Sequence, residues 1–203
     1  MIIERVAMRI FLLTAGAMMI FLANSISAQN ASKPANDKSP VVVMKTSHGT
    51  MEITLDAEKA PVSVKNFLSY VNESFYDSTI FHRVISGFMI QGGGFVLPLS
   101  QKAPSRGPIK NEAANGLKNK RGTIAMARTS DVNSATCQFF INHRDNDFLD
   151  YKNNTPKGFG YAVFGQVTKS LEVVDKIAAI PTNPQDVPLK PAVILSVRLK
   201  KGE

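Results

Sequence analysis

The chain has 203 residues, 44% of them hydrophobic and 20% charged, with 13 glycines and 11 prolines. That length allows one or two domains with a sizeable core, and the composition excludes a collagen-like, disordered or coiled-coil chain. One cysteine and three separated histidines (His48, His82 and His143) exclude a disulfide framework and a cysteine-rich zinc or iron–sulfur site, so no metal is expected. The 24 basic against 16 acidic residues, a formal charge of +8, argue weak attraction to anionic surfaces rather than dedicated nucleic-acid binding.

Residues 1–28 have the three parts of a secretory signal peptide. Arg5 and Arg9 precede a run of thirteen mostly apolar residues over 10–22 (IFLLTAGAMMIFL), and the small-residue exit ANSISA ends at Ala28. Cleavage after Ser25 or Ser27 is an alternative, as is a start at Met8. The apolar run is shorter than the roughly 20 residues needed to cross a bilayer, which weighs against a permanent anchor. Export therefore implies a periplasmic protein with no stable membrane insertion after cleavage. Removing the leader leaves 22 basic and 15 acidic residues, or +7, on about 175 residues, which is one domain's worth. Residues 29–40 (QNASKPANDKSP) are polar and aperiodic, a flexible lead-in.

Thereafter the chain is a series of short strand patterns. The runs at 41–46 and 50–55 flank Ser47-His48-Gly49, a three-residue hairpin signal. Residues 61–72 place Val64, Phe67, Leu68 and Val71 at helical spacing, with Pro61 suited to the first turn. Strand patterns follow at 79–85, 88–91, 123–127, 138–142 and 161–167, separated by Gly, Asn, Asp and Pro clusters. Residues 170–177 form a second helical pattern, with Ser170 as a capping residue and Leu171, Val174 and Ile177 on one face. Four prolines in 181–191 make a fixed approach to a last strand at 192–199. Short strands with irregular connections predict an antiparallel barrel or sandwich, with each helix closing an open end.

Four blocks carry the chemistry. Residues 81–95 (FHRVISGFMIQGGGF) hold Arg83, Phe88, Met89 and Gln91 before three glycines. Residues 122–142 add Met126, Arg128, Gln138 and Phe140; DFLD at 147–150 adds Phe148 and Leu149; FGYAVFG at 159–165 adds Tyr161. Singly, each has a bland account: phenylalanines as core, glycines as turns, Arg83 as a surface ion-pair partner. Together and in this order they resemble the cyclophilin family of peptidyl-prolyl cis–trans isomerases over 41–200, essentially the whole mature domain. Phe148, Tyr161, KNEA at 110–113 and RGTIAMAR at 121–128 look like the bacterial periplasmic branch.

The resemblance implies a mainly β fold, a closed eight-stranded antiparallel barrel capped by two α-helices. It implies that Arg83 is the catalytic arginine and that Phe88, Met89, Phe140 and Leu149 wall a proline pocket. It gives Gln91 to holding the substrate backbone and the arginine, and Ala127, Arg128 and Gln138 to the groove beside the pocket. Phe148 stands where well-known eukaryotic members carry Trp, Tyr161 where they carry His, and Arg128 replaces a common Asn; the loop 129–137 is a residue longer. The Phe148 departure implies weak or no binding of cyclosporin-type inhibitors, because phenylalanine lacks the indole N–H.

These residue types suit amide rotation. The barrier, roughly 18–20 kcal/mol, is set by conjugation of nitrogen with the carbonyl, and no bond is made or cut, so no nucleophile, metal or cofactor is required. A fixed guanidinium can donate to the prolyl nitrogen once twisting has made it basic, or follow the carbonyl oxygen. The expected partners are proline-containing unfolded or flexible polypeptides; the residues do not give the oligomeric state, and the resemblance implies a monomer. A proline-segment-binding chaperone with incidental isomerase activity uses the same pocket and stays open. A basic module for nucleic acid or membrane fares worse, since arginines are not interleaved with aromatics on any predicted strand. His82 reads as structural, Cys137 as buried, the glycines 92–94 as a turn admitting a bound chain, and Lys118, Lys120 and Arg121 as solvated surface.

Overall fold

A computed structural model describes residues 39–201; the leader at 1–28 and most of the lead-in lie outside the described residues. The first strand, β1 (Val41–Thr46), buries Val42, Met44 and Thr46, and β2 (Gly49–Leu55) buries Met51, Ile53 and Leu55, the period-2 pattern of a half-buried sheet. Their connection is tighter than the predicted three residues. Thr46 pairs directly with Gly49, leaving Ser47 and His48 as the loop. The Thr46 hydroxyl donates to the Gly49 carbonyl (2.8 Å) and accepts from the His48 N–H (3.0 Å), and Gly49 takes φ +132°, which favours glycine.

The remaining strands are β3 (Thr79–Ile85), β4 (Met89–Val96), β5 (Ser100–Gln101), β6 (Thr123–Met126), β7 (Phe139–Asn142), β8 (Val163–Lys169) and β9 (Ala192–Leu199). Eight of them close in the order β3-β9-β1-β2-β8-β6-β7-β4 and back to β3, and the two-residue β5 adds to β4 outside the ring. All the strand pairs are antiparallel. The expected eight-stranded barrel with two helices is therefore the fold.

β4 continues through the three glycines rather than ending at Gln91, so they are strand and not turn. Packing requires them. A Cβ on Gly92 would lie 3.0 Å from the Phe81 ring, and one on Gly93 would lie 2.8 Å from Phe139 and 2.9 Å from Tyr76, at φ +83°. A Cβ on Gly94 would overlap the Gln138 side chain. Aromatic rings of the core and Gln138 fill the space that the missing side chains leave.

Helix α1 (Pro61–Asn72) turns Val64, Phe67, Tyr70 and Val71 inward, and the Phe67 ring lies 5.1 Å from Tyr76, 5.7 Å from Phe139 and 5.3 Å from Phe164. Its first turn is capped from a distance: the Glu112 carboxylate accepts from the N–H groups of Val62 (3.0 Å) and Ser63 (2.8 Å). Helix α2 (Glu172–Ala178) buries Val173, Val174, Ile177 and Ala178. Ser170 is not its side-chain cap. Leaving β8, the chain turns at Ser170 with φ +59°, and it is the Ser170 carbonyl that meets the Val173 N–H (3.0 Å).

Candidate active site

Alternation along four neighbouring strands makes two apolar clusters, not one. Ile90, Phe139, Ile141, Ile124, Met126 and Phe164 face the barrel interior. The residues between them, Met89, Phe140, Ala125 and Val163, face outward and form a separate buried cluster, joined by partly buried Phe88, Ala127, Leu149 and Tyr161. This outer cluster is a second, smaller core, and the part-exposed apolar side chains at its rim leave it open to solvent on one side. Over this cluster lies a cleft of about 120 Å³, lined by Arg83, Phe88, Met89, Gln91, Ala127, Arg128, Phe140, Leu149 and Tyr161. Larger grooves of about 370 and 440 Å³ occur elsewhere, but neither has an aromatic wall.

Arg83 reaches the cleft because β3 is irregular. The pairing of β3 with β4 shifts register between Phe81 and Arg83, so that Phe81 and Val84 both face the core while Arg83 pairs with Gln91. Its Nε donates to Asp186 Oδ2 at 3.2 Å, and the two side chains are 45% and 38% exposed. Among the described residues its two terminal amino groups carry no other hydrogen bond, so they are available at the mouth of the cleft. The expected bond from Arg83 to the Gln91 side chain is absent; Gln91 Nε2 donates instead to Gln138 Oε1 at 3.0 Å. Two cross-strand amides therefore hold each other, and the arginine's anchor comes from the proline-rich approach to β9.

Asp186 is itself held. Its backbone N–H donates to the Asn183 carbonyl (3.0 Å) and its carbonyl accepts from the Val84 N–H (2.8 Å), which ties the loop to β3 next to Arg83. Its φ of +63° is one that aspartate tolerates better than most residues.

The apolar walls rest on a buried polar network. The Phe88 carbonyl accepts from the His143 N–H and from Asn146 Nδ2, both at 2.9 Å. Asn146 also donates to Asn142 Oδ1 (2.7 Å), and Asn142 donates to Asn119 Oδ1 (3.2 Å) and the Thr123 hydroxyl (2.9 Å). Asn119 in turn donates to Asp150 Oδ1, beside Leu149. Such satisfied amides fix position, because breaking one member leaves a buried donor without a partner. Phe148, 57% exposed, lies outside the cleft lining and stacks on Phe88 with ring centroids 5.6 Å apart. At the other end Tyr161 meets Phe140 edge-on at 5.7 Å.

Nine of the eleven site residues that the resemblance implies line this cleft, and Gln138 and Phe148 touch residues that do; Met126, taken with the second block, faces the barrel interior instead. Asp186 and the asparagines Asn119, Asn142 and Asn146 were missed. His82 turns away from the cleft and packs on Phe95 (4.3 Å); burial pushes its pKa down to about 4. Cys137 is buried, which raises its thiol pKa. The basic cluster is ion-paired rather than simply solvated. Lys118 meets Asp150 (3.6 Å), Lys120 meets Asp145 (3.1 Å) and Asp147 (2.8 Å), and Arg121 forks onto Asp175 (2.8 and 2.9 Å).

Known proteins are similar to this chain in sequence and in fold. The family model described as cyclophilin type peptidyl-prolyl cis-trans isomerase/CLD matches residues 41–199. Peptidyl-prolyl cis-trans isomerase A of Dickeya dadantii is 57% identical over 164 residues, 79% of this chain and 84% of the relative. Peptidyl-prolyl cis-trans isomerase B of Escherichia coli is 53% identical over 165 residues, 79% of this chain and all of the relative. A crystal structure of a Cryptosporidium parvum cyclophilin type isomerase superposes with a TM-score of 0.68 at 24% identity, covering 81% of this chain and 99% of that one. With its whole barrel matched and these two bacterial relatives more than half identical, the chain belongs to the cyclophilin-type peptidyl-prolyl cis-trans isomerases and is an isomerase.

Proposed function

We propose that the chain accelerates rotation about X–Pro bonds in exported, unfolded or flexible polypeptides, without covalent chemistry. The proline ring sits on Met89 and Phe140 between Phe88 and Leu149, and the amide crosses the mouth of the cleft beside Arg83. Ground-state amides are planar and conjugated; twisting them localises the lone pair on nitrogen and makes it a hydrogen-bond acceptor. The free amino groups of Arg83 donate to that nitrogen or to the carbonyl oxygen as it swings. Asp186 holds the guanidinium by its Nε and so limits the reorientation needed when charge develops. A substrate lying over the mouth displaces water from the half-exposed arginine, which strengthens the contact at the moment it is used. The apolar walls grip the ring while the preceding segment turns.

The single observation that carries this reading is the outward apolar cluster with one arginine at its mouth whose terminal donors are unused. A crystal structure of the Cryptosporidium protein in the presence of the dipeptide Ala-Pro supports a proline-sized ligand for this fold. Export, and with it a periplasmic location, is supported by the leader at residues 1–28; among the described residues no helix is long and apolar enough to cross a membrane. The test is NMR exchange spectroscopy on an Ala-Pro peptide with the mature chain and no metal or nucleotide added. Exchange between the cis and trans peaks is expected at catalytic protein concentration, and its absence refutes the reading.

A further inference from the structure

We infer that the cleft selects peptides carrying a carboxylate side chain next to the proline, and that Arg128 makes the selection. The inference rests on the cleft being the isomerase site. Arg83 and Arg128 are the two charged residues among the nine that line it, and no aspartate or glutamate is among them. Arg83 is offset by Asp186. Arg128 is not offset: its bonds run to neutral backbone carbonyls, from Nε to Gly160 (3.0 Å), from Nη1 to Thr129 (2.9 Å) and from Nη2 to Pro156 (3.2 Å). Its guanidinium carbon lies 4.7 Å from the centre of the Tyr161 ring.

Nearby carboxylates are engaged elsewhere. Among the described residues no carboxylate forms a salt bridge with Arg128: Asp131, in the adjoining loop, keeps its charge and accepts from the Asn133 N–H (2.9 Å), and Asp147 and Asp150 pair with Lys120 and Lys118. Three carbonyls and an aromatic face thus hold a cation whose charge no described side chain neutralises. Of its five N–H donors three are used, which leaves one on each terminal nitrogen. A guanidinium held in one orientation with two donors to spare suits a carboxylate, and it repels an ammonium group.

Arg128 follows Ala127, which continues the outward face of Ala125 at the edge of the ring-binding cluster. A side chain adjacent to the bound proline therefore passes beside it, whereas the ring itself sits deeper. At a partly hydrated site a charge several ångströms away gives about a three- to tenfold preference of Glu over Lys at low ionic strength. Added salt shrinks it.

The experiment measures kcat/KM by NMR exchange, without a coupling protease, on peptides with Glu, Gln or Lys just before the proline and, separately, just after it. Wild-type protein is expected to rank Glu above Gln above Lys at one of the two positions, with the ratio falling in high salt. In Arg128→Gln the Glu-to-Lys ratio is expected to fall towards one, and in Arg128→Lys to survive in part. A flat wild-type ranking at both positions, or a ratio unchanged in Arg128→Gln, overturns the inference. Should Arg128→Gln fail to fold, Arg128→Lys and the salt series decide, and a preference insensitive to salt overturns it. Turnover of Ala-Ala-Pro-Phe with a flat ranking removes only this inference; no turnover of any peptide removes the isomerase reading beneath it.

Discussion

Replacing Asp186 by glycine removes the carboxylate that anchors Arg83 among the described residues while leaving the loop free to keep its shape, since glycine accepts a φ of +63° without steric cost. Both side chains are part exposed, so the ion pair contributes no more than about 1 kcal/mol to folding, and little change in melting temperature is expected. The catalytic cost is larger than the structural one. An untethered arginine side chain regains up to about 2 kcal/mol of rotamer entropy. With the stem still packed at the mouth, about half of that must be supplied again in the transition state, which corresponds to about a fivefold fall in kcat/KM. Asp186→Asn keeps an oxygen facing Nε and is expected to lose only about twofold by the same arithmetic. The decisive assay is a double-mutant cycle with Arg83→Ala, followed by NMR exchange on an Ala-Pro peptide. In the Arg83→Ala background Asp186→Gly is expected to cost nothing further. An equal loss in both backgrounds, or no loss in the wild-type background, refutes the positioning role.

Two further outcomes follow from the neighbouring side chains. His82 has a pKa of about 4 when folded against 6.5 ordinarily, so between those values the unfolded chain takes up a proton that the native state refuses. Stability is therefore complete above pH 6.5 and falls by about 2 kcal/mol on going to pH 5. Urea unfolding of His82→Phe should show a flatter profile over that window, and parallel curves for the two proteins would refute this. The paired carboxylates Asp77 and Asp145 have lowered pKa values, so their contributions are lost only on further acidification and do not obscure the comparison. Cyclosporin-type peptides should bind the wild type weakly by calorimetry and Phe148→Trp more tightly, because an indole stacked on Phe88 adds an N–H donor; tight binding that ignores the substitution would contradict this.

The barrel was legible because its strands alternate. Val42, Met44, Met51, Ile53 and Leu55 announce one buried face, and the helical spacing of Val64, Phe67 and Val71 announces α1. The strand ends were less so. Glycines 92–94 read as a turn when taken alone, and only the rings of Phe81, Phe139 and Tyr76 packed against them explain why they are strand. Ser170 has the composition of a cap but lies in a left-handed turn that aims its carbonyl, not its hydroxyl, at the helix. At the site, Phe88, Met89 and Phe140 were found through the order of four blocks, which fixes strand identity and hence which face each residue takes. Asp186 left no such trace: it sits 103 residues from Arg83 in a proline-rich loop without periodicity, and only the closed barrel brings the two together. The same holds for Asn142 and Asn146, polar residues whose burial depends on Phe88, Asn119 and Thr123, distant in the sequence.

The most direct measurement is the exchange rate of an Ala-Pro peptide with Arg83→Ala, alongside the affinity of that variant for the same peptide. If the arginine favours the twisted amide rather than either planar form, the rate should fall on the order of 10²-fold or more while affinity changes little and the fold is kept. Near-full activity in a folded Arg83→Ala protein, or a loss explained wholly by weaker peptide binding, would contradict that mechanism.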